Sequence, residues 1–333
     1  MNEIDEEIQI LIGMEKVLKQ KTTIAFVGLG GVGGYYGGLV SRYAEKHPEI
    51  EVSFVARGKH LEAIQKHGLK VSDENRSFVT RPAIATDKVD EIGTVDYIVL
   101  ATKSYDLDAT MEQIKPMVSK QTIILPLLNG IDNTSRLSAF FPNNEIWYGC
   151  VYIITRLKSP GVIEDSGNVH VMHFGHEKKV SEALLFVEQL FLNAGIEVVR
   201  KEKALEAIWR KFFFISTTAA LTTYLNSDFK SLVEDIDKKQ LYVDIMKELL
   251  VIASAEGINL YESIIDDMLK YCGSLPAGST SSMNSDYLAD RKIEVDTLVG
   301  IVVKLGKQHK IPTPIYAKVH AALIAKCQVS QGC

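Results

Sequence analysis

A glycine-rich turn near the N-terminus constrains the fold of this 333-residue chain more than any other stretch. The apolar residues 24–27 break abruptly into Gly-Leu-Gly-Gly-Val-Gly, after which an apolar pattern resumes. This order is typical of a strand, a tight turn and a helix. Gly28, Gly30 and Gly33 fit the spacing G-x-G-x-x-G. The first glycine allows the turn, the second lets the backbone approach a pyrophosphate, and the third lets the helix pack closely on the strand.

The helix predicted after this turn offers an anion site made of backbone N–H groups at its first turn. A glycine-rich turn in some other α/β domain is the alternative, but the preceding strand and the following helix are the context that the motif requires. We therefore predict that the turn binds a dinucleotide. The residues expected to line its phosphates are Gly28, Leu29, Gly30, Gly31, Val32 and Gly33.

Arg57 stands at the end of a second predicted strand, residues 51–56. An NAD-specific site places Asp or Glu near this position to bind the ribose 2′-hydroxyl, whereas Arg accommodates the 2′-phosphate of NADP. Lys59 and His60 add positive charge nearby. Arg57 could instead be a solvated surface arginine, but its position at the strand end favours NADP(H) as the cofactor.

The overall charge and hydropathy exclude several classes of partner. The chain has 37 Lys and Arg against 42 Asp and Glu, a net charge of −5, which gives no sign of a nucleic-acid surface. We find no apolar run approaching the roughly 18 residues of a membrane span. We therefore expect no nucleic-acid partner and no membrane partner.

The cysteines and histidines do not form a recognisable metal motif. The four cysteines are widely scattered and contain no Cys-x-x-Cys pair, so they are expected to be free thiols of a cytoplasmic protein. His170, His173 and His176 are close in sequence. However, His170 and His173 fall on opposite faces of a predicted strand, and no carboxylate or thiol completes a ligand set. We predict no metal site.

Two further strands end in polar residues that could face the same ligand. Residues 95–101 form a near-continuous apolar strand that is followed by Lys103, and residues 122–128 form another that is followed by Asn129. Ligands of open α/β sheets lie outside the carboxyl ends of the strands. Taken singly, Lys103 could be a solvated loop lysine, and Asn129 the left-handed residue of an Asn-Gly turn. Their shared edge favours a role in binding.

The rest of the first domain contains shorter strand patterns. A small β excursion is predicted at 68–85, and strands at 148–155, 161–163 and 169–175 are expected to extend the sheet in antiparallel fashion. A helix over 181–193 and a strand over 196–200 complete this part of the chain.

Helical periodicity replaces the strand pattern from Ala204 onward, which places a domain boundary near residue 202. We expect an NADP-binding α/β domain at 21–202, an all-α substrate and catalytic domain at 203–330, and an amphipathic N-terminal extension at 1–20. An apolar helical surface between 230 and 256 could form a homodimer, but it could equally be core. The helices are predicted at 204–225, 230–256, 261–272, 291–308 and 315–327.

Lys211 is a charged residue on a face that should be buried. Helical spacing places it with Ile208 and Ile215. Desolvation lowers the pKa of a lysine, so an ammonium held there could donate a proton near neutral pH. The alternative is a lysine whose stem packs while its ammonium reaches water.

Glu294 presents the same problem with the opposite sign. It shares a stripe with Leu298, Ile301 and Leu305, and a carboxylate on such an apolar seam needs a partner or a ligand. The alternative is that a helix begins near Glu294, where an acid complements the helix dipole. The hydroxyl-rich segment 278–283 precedes it and is suited to hydrogen-bonding a carboxylate or capping a helix.

Taken together, these motifs resemble the ketopantoate reductase family. The resemblance is carried by G-x-G-x-x-G, Ala-Thr-Lys, Leu-Asn-Gly, Trp-x-Lys, and Ser-Ser-Met followed at a fixed interval by Ile-Glu-Val-Asp, over residues 24 to about 320. It implies a Rossmann-type domain followed by an all-α domain, with NADPH as the cofactor. It also implies that Lys211 is the general acid, that Glu294 orients the substrate, and that Lys103, Asn129 and Ser282 line the cofactor and substrate site.

One departure from the family concerns the substrate pocket. The well-known enzymes follow the catalytic lysine with asparagines four and eight residues on, whereas this chain has Ile215 and Ala219. Specificity that rests on hydrogen bonds to a substrate hydroxyl is costly to lose. Either Ser216, Thr217 or Asn226 takes over, or the substrate is a different 2-oxo acid.

The sequence therefore predicts an NADPH-dependent reductase that converts 2-dehydropantoate to pantoate. One alternative is a reductase for another bulky branched or aromatic 2-oxo acid, since such enzymes resemble the same family. A second, of a different class, is a non-catalytic NADP(H)-binding sensor that acts through a partner protein. Buried charges at Lys211 and Glu294 favour catalysis, because a sensor has no need of them.

Overall fold

The structure is a computed structural model that describes residues 21–73, 77–167, 169–177, 180–201, 203–261 and 263–330, with side chains up to residue 326. Contacts within it define two compact units. The first contains the described residues up to Leu128 and those of 132–205, and the second contains Asn129–Ile131 and the described residues from Glu206 onward. The second unit thus takes a three-residue segment from within the predicted N-terminal domain. The predicted N-terminal extension and the thiols of Cys327 and Cys333 lie outside the described residues.

A six-stranded parallel sheet forms the centre of the first unit, in the order β5-β2-β1-β6-β7-β8. Its first strand has β2 on one side and β6 on the other, so the strand order reverses there, and ligands of doubly wound sheets bind at such a point. The strands are β1 (Thr22–Val27), β2 (Ile50–Val55), β5 (Ile84–Thr86), β6 (Val95–Leu100), β7 (Val118–Pro126) and β8 (Glu145–Ile146).

Both faces of this sheet are buried. Along β1, Ile24 and Phe26 enter one apolar cluster, while Ala25 and Val27 enter another. This double burial explains the near-continuous apolar runs in the sequence. The helices of the first unit are α1 (Gly31–Ala44), α2 (Gly58–His67), α3 (Leu107–Ile114), α4 (Asn133–Phe140) and α5 (Glu182–Asn193).

The remaining strands of the first unit form two separate sheets, so the expected antiparallel extension of the main sheet is wrong. The main sheet ends at β8, which is only two residues long. One added sheet has the order β10-β11-β3-β4 and the other β13-β12-β9. Their strands are β3 (Leu69–Ser72), β4 (Ser77–Thr80), β9 (Tyr148–Tyr152), β10 (Thr155–Ser159), β11 (Val162–Asp165), β12 (Val171–Gly175) and β13 (Glu197–Arg200).

Helix α1 lies between the main sheet and the four-stranded sheet. A β-carbon at Gly37 would lie 3.0 Å from the Phe26 ring of β1, and one at Gly34 would lie 2.6 Å from the Ile163 side chain of β11. The helix is buried throughout residues 33–41. The glycines beyond the G-x-G-x-x-G spacing are therefore accounted for by packing on two faces.

The second unit is built from helices, which confirms the predicted fold class: a Rossmann-type α/β region followed by an all-α region. Asp235 divides the predicted helix 230–256 in two, because its side chain accepts hydrogen bonds from Asp237 N and Lys238 N and caps the second part. Among the described residues, none of the helices combines the length and apolar content of a membrane span. The helices are α6 (Ala204–Leu225), α7 (Ser231–Glu234), α8 (Ile236–Ala255), α9 (Ile264–Ser274), α10 (Ser282–Leu288), α11 (Ile301–His309) and α12 (Pro314–Ser330).

Candidate functional site

The glycine-rich turn has the geometry that its spacing predicts. Gly28 has φ +89°, and a β-carbon there would lie 2.7 Å from Thr102 N. A β-carbon at Gly33 would lie 2.0 Å from the carbonyl oxygen of Gly28. By contrast, apart from its two chain neighbours, no described residue has an atom within 4 Å of a β-carbon placed on Gly30. The first and third glycines are thus required by the protein itself, while the second faces open space that a pyrophosphate can approach.

Two buried threonine hydroxyls flank this turn. Thr102 lies against Gly28 and Thr155 lies against Gly31. The hydroxyl oxygens of both have no hydrogen-bond partner among the described residues. An unsatisfied buried polar group costs about 1–3 kcal/mol, which a polar ligand atom would recover. The residues around the turn therefore fit a polar cofactor such as a dinucleotide. The sequence pattern did not single out these threonines.

Arg57 lies where the sequence placed it, at the carboxyl end of β2, but it is already paired. Its Nη2 donates to Asp106 Oδ2 at 3.0 Å, and its side chain is 84% exposed. Asp106 ends the short turn that follows Lys103, which is half-buried after β6. The acid was missed in the sequence because 49 residues separate it from Arg57. A 2′-phosphate at Arg57 would compete with this carboxylate.

The second unit brings three predicted site residues together. Lys211 Nζ donates to Asn129 Oδ1 at 2.8 Å, and Asn129 Nδ2 donates to Glu294 Oε2 at a longer 3.4 Å. Lys211 is only 8% exposed and Glu294 only 5%. Burial of two charges is costly unless they are paired or hydrogen-bonded. The Asn129 amide links the ammonium to the carboxylate and holds both in place.

Local sequence explains how Lys211 and Glu294 come to be buried. Lys211 lies within α6 beside the buried side chains of Ile208 and Phe212. Glu294 precedes a π-helical turn, Asp296–Gly300, and its carbonyl accepts from Leu298 N at 2.9 Å. The two alternative interpretations of Glu294 are therefore compatible, because a helix begins beside Glu294 and its carboxylate is also buried.

Asn129 acts through its side chain rather than as a left-handed turn residue. Gly130 takes the positive φ of +114°, and Asn129 does not have a positive φ. An ammonium has N–H donors and no acceptor, so Asn129 presents its oxygen to Lys211 and its nitrogen to Glu294. This orientation makes a positively charged donor available in a low-dielectric environment, which is suited to protonating and stabilising a developing oxyanion.

The remaining predicted substrate residues differ in their burial. Ser282 is exposed at the start of α10, and its neighbour Ser281 caps that helix by accepting from Asn284 N at 3.1 Å. Ile215 is half-buried, whereas Ala219 is only 2% exposed.

The proposed replacements for the missing asparagines have structural partners of their own. Ser216 Oγ donates to Leu298 O at 2.6 Å and also bonds Tyr316 Oη. Thr217 Oγ1 donates to Phe213 O within its own helix at 2.7 Å. Asn226 is exposed, with φ 49°, just after the helix ends. The hydroxyls of Ser216 and Thr217 are therefore already bonded within the second unit, whereas replacement by Asn226 stays a prediction.

Among the described residues, no group of three or more His, Cys, Asp and Glu could hold a metal ion. His170 pairs with Asp165 of β11. Cys150 and Cys272 are buried, and neither belongs to a disulfide in the part of the chain that the structure describes.

Two family models match this chain, one in each of its two parts. The family model described as "Ketopantoate reductase PanE/ApbA" matches residues 24–178, and "Ketopantoate reductase PanE/ApbA C terminal" matches residues 203–327. A 2-dehydropantoate 2-reductase of Mesorhizobium japonicum is 26% identical over 330 residues, covering 93% of this chain and 99% of the relative.

Solved structures show the same architecture. The 2-dehydropantoate 2-reductase of Porphyromonas gingivalis W83 matches with a TM-score of 0.81 at 31% identity, covering 92% of this chain and 100% of that one. A D-mandelate dehydrogenase solved with NADH and anilino(oxo)acetate has a TM-score of 0.83 at 22% identity, covering 94% and 100%, and at that identity the likeness concerns the fold. The chain belongs to the ketopantoate reductase family, whose members are oxidoreductases that use NAD(P)H and act on 2-oxo acids.

Proposed function

We propose that this protein uses NADPH to reduce 2-dehydropantoate to pantoate, the reaction named in its relatives, and so serves pantothenate biosynthesis. The observation that carries the proposal is the buried hydrogen-bonded group of Lys211, Asn129 and Glu294. Buried charges held by hydrogen bonds are typical of catalytic sites. The glycine-rich turn supports the cofactor half of the proposal.

Lys211 is the proposed general acid. The nicotinamide, when bound, supplies the hydride that reduces the carbonyl carbon. Lys211 donates the proton to the carbonyl oxygen, so that hydride and proton together convert the carbonyl to a hydroxyl. The ammonium also stabilises negative charge on that oxygen before the proton moves. Asn129 fixes the direction of the Lys211 N–H bonds, and Glu294 keeps the lysine charged and orients the substrate.

NADPH is proposed over NADH because of Arg57. A guanidinium at the end of the second strand can bind a 2′-phosphate through charge-assisted hydrogen bonds. A 2′-phosphate bound at Arg57 would replace the exposed pairing with Asp106. The proposed phosphate-binding residues remain Gly28 to Gly33, and Lys103 is proposed to contact cofactor or substrate.

Another bulky 2-oxo acid is the second candidate substrate. Ile215 and Ala219 make their surroundings more apolar than the paired asparagines of the well-known enzymes would. Ser216 and Thr217 are hydrogen-bonded within the second unit, so neither can replace those asparagines without breaking a bond. The D-mandelate dehydrogenase neighbour shows that the fold also serves an enzyme of an aromatic 2-hydroxy acid.

A substrate panel tests the proposal. Oxidation of NADPH, and separately of NADH, is followed with ketopantoate, 4-methyl-2-oxopentanoate and phenylglyoxylate. The highest kcat/KM with ketopantoate and NADPH supports the first proposal, while a higher value with another acid replaces it by the second. Binding of NADPH without oxidation by any of these acids identifies a non-catalytic sensor and overturns both.

The cytoplasmic location and the homodimer remain predictions from the sequence. Cys150 and Cys272 are in the reduced form, which is compatible with a reducing compartment. Size-exclusion chromatography with light scattering measures the oligomeric state directly.

A further inference from the structure

A half-buried histidine connects the glycine-rich turn to a distant hairpin of the first unit. His60, the third residue of α2, has its Nε2 2.8 Å from the carbonyl oxygen of Leu29. Its Nδ1 lies 2.9 Å from the backbone nitrogen of Gly161, in the turn between β10 and β11. One imidazole thus joins three segments that are remote in sequence.

The two contacts determine the protonation of the ring. The Gly161 N–H is a donor, so Nδ1 accepts from it and the ring proton lies on Nε2, which donates to Leu29 O. An imidazolium would carry a donor on both nitrogens and lose the Gly161 bond. Burial lowers the pKa of His60 below its ordinary value of 6.5, despite the opposing effect of the Leu29 carbonyl, and so favours the neutral ring.

The Leu29 carbonyl belongs to the same peptide unit as the Gly30 N–H. A peptide unit is planar and trans here, so its carbonyl and its N–H point in opposite directions. Holding the carbonyl toward His60 therefore turns the Gly30 N–H away from the ring. A β-carbon at Gly30 would meet open space, which places this residue on the accessible side of the turn.

The hairpin that contains Gly161 packs against the first residue of helix α1. A β-carbon at Gly31 would lie 2.4 Å from the carbonyl oxygen of Thr155, the first residue of β10. The Gly161 carbonyl accepts from Lys70 N of β3 at 2.9 Å. The Gly161 N–H is thus a rigid support from which the imidazole can hold the turn.

We propose that His60 is a positioning residue for dinucleotide binding, which rests on the proposed function of the turn. Its neutral ring, supported by Gly161, holds the Leu29–Gly30 peptide so that the Gly30 N–H faces a pyrophosphate. The glycine spacing makes the turn possible, and His60 selects one orientation of its central peptide. His60 takes no part in hydride or proton transfer, so it contributes only to the affinity for the cofactor.

Substitutions at His60 separate the two hydrogen bonds. His60→Ala removes both, His60→Gln retains a donor that reaches Leu29 O, and His60→Asn retains an acceptor for Gly161 N only. His67→Ala is the matched control, because His67 is exposed at the end of the same helix. The dissociation constant of NADPH is measured by fluorescence titration, and kcat is measured at saturating NADPH with the best 2-oxo acid.

We expect His60→Ala to raise the dissociation constant by about tenfold, equivalent to about 1.4 kcal/mol, with kcat at saturating NADPH unchanged. His60→Gln restores most of the affinity and His60→Asn restores less, because the Leu29 bond orients the peptide. Unchanged NADPH affinity in His60→Ala, or equal rescue by Gln and Asn, overturns the inference. If His60→Ala does not fold, the difference between the Gln and Asn variants decides. A wild-type protein that binds no dinucleotide instead overturns the proposed function itself.

Discussion

The glycine-rich turn and the Lys211–Asn129–Glu294 group use opposite means to build a binding region. The turn relies on backbone atoms and on side chains that are absent, and it occupies six consecutive residues. The second group relies on three polar side chains, with 82 residues between Lys211 and Asn129 and 165 between Asn129 and Glu294. A site built from backbone atoms can therefore be recognised in the sequence as a local motif. A site built from side chains can be recognised only by charged residues on helix faces that should be apolar.

The two regions also differ in what a substitution disturbs. At Gly28 and Gly33 any β-carbon meets backbone atoms, so the turn itself must move. At Lys211 a side chain of similar length can fill the same space while its charge is removed. The first region should respond to mutation mainly through cofactor affinity, and the second mainly through turnover.

The largest expected effect is the loss of turnover in Lys211→Met. Methionine fills a similar volume but cannot donate a proton, so kcat should fall by about 10³-fold, within the usual range for a general acid. Steady-state rates at saturating NADPH measure the change. Lys247→Met, an exposed lysine of α8, is the control and should retain wild-type kcat. Near wild-type turnover in Lys211→Met would contradict the claim that Lys211 acts in turnover.

A smaller effect is expected at the adenosine end of the cofactor. Arg57→Ala should weaken NADPH binding by about tenfold and leave NADH binding unchanged, because only NADPH carries the 2′-phosphate. Asp106→Asn should strengthen NADPH binding, because it removes the carboxylate that competes with the 2′-phosphate for Arg57. Arg136→Ala, which breaks a comparable pair with Asp108, serves as the control. Equal losses of affinity for NADPH and NADH in Arg57→Ala would show that Arg57 does not bind the 2′-phosphate.

Ile215→Asn sharpens the account of substrate choice. Returning one amide to this half-buried position should raise kcat/KM for ketopantoate by about threefold to tenfold, the worth of one net hydrogen bond. Ala219 is less suitable, because its near-complete burial leaves no room for a larger polar side chain. The ratio of kcat/KM for ketopantoate and phenylglyoxylate is the measurement. A ratio that moves toward phenylglyoxylate would contradict the assigned role of Ile215.

The smallest effect concerns pH and the glycine-rich turn. Burial lowers the pKa of folded His60 below 6.5, so the neutral ring contributes stability above that pH. This contribution is lost as pH falls from 6.5 through the folded pKa, because the unfolded chain takes up the proton first. Urea unfolding at pH 7.5 and 5 should therefore show a smaller pH dependence in His60→Gln than in the wild type. An identical pH dependence would show that His60 is not held neutral.

Much of the first unit could be predicted from periodicity and motif. Strands β1, β2, β6 and β7 follow from their apolar runs, and the roles of Gly28 and Gly33 follow from their spacing. The division of the later strands into two separate sheets could not be predicted, because strand partners such as β3 and β11 are remote in sequence. Helix α10 was missed, although Ser281 before it is a typical N-cap residue that could have marked its start.

The site was predicted in part for similar reasons. Lys211 and Glu294 stood out because helical spacing placed charge among apolar residues, and both prove to be buried. Their common partner Asn129 was singled out for a different reason, its place at a strand end. The pairing of Arg57 with Asp106 and the bridge made by His60 depend on contacts across 49 and 101 residues, which no local pattern encodes.

The most direct test of this division of roles is the dissociation constant of NADPH, measured side by side for Lys211→Met and Gly33→Ala. A β-carbon at Gly33 would press on the Gly28 carbonyl, so we predict that Gly33→Ala binds NADPH about 100-fold or more weakly. For Lys211→Met we predict a dissociation constant within about twofold of the wild type, well below the tenfold change that would mark a lost contact. Wild-type affinity in Gly33→Ala, or a comparable loss in both variants, would contradict the assignment of cofactor binding to the turn and of turnover to Lys211.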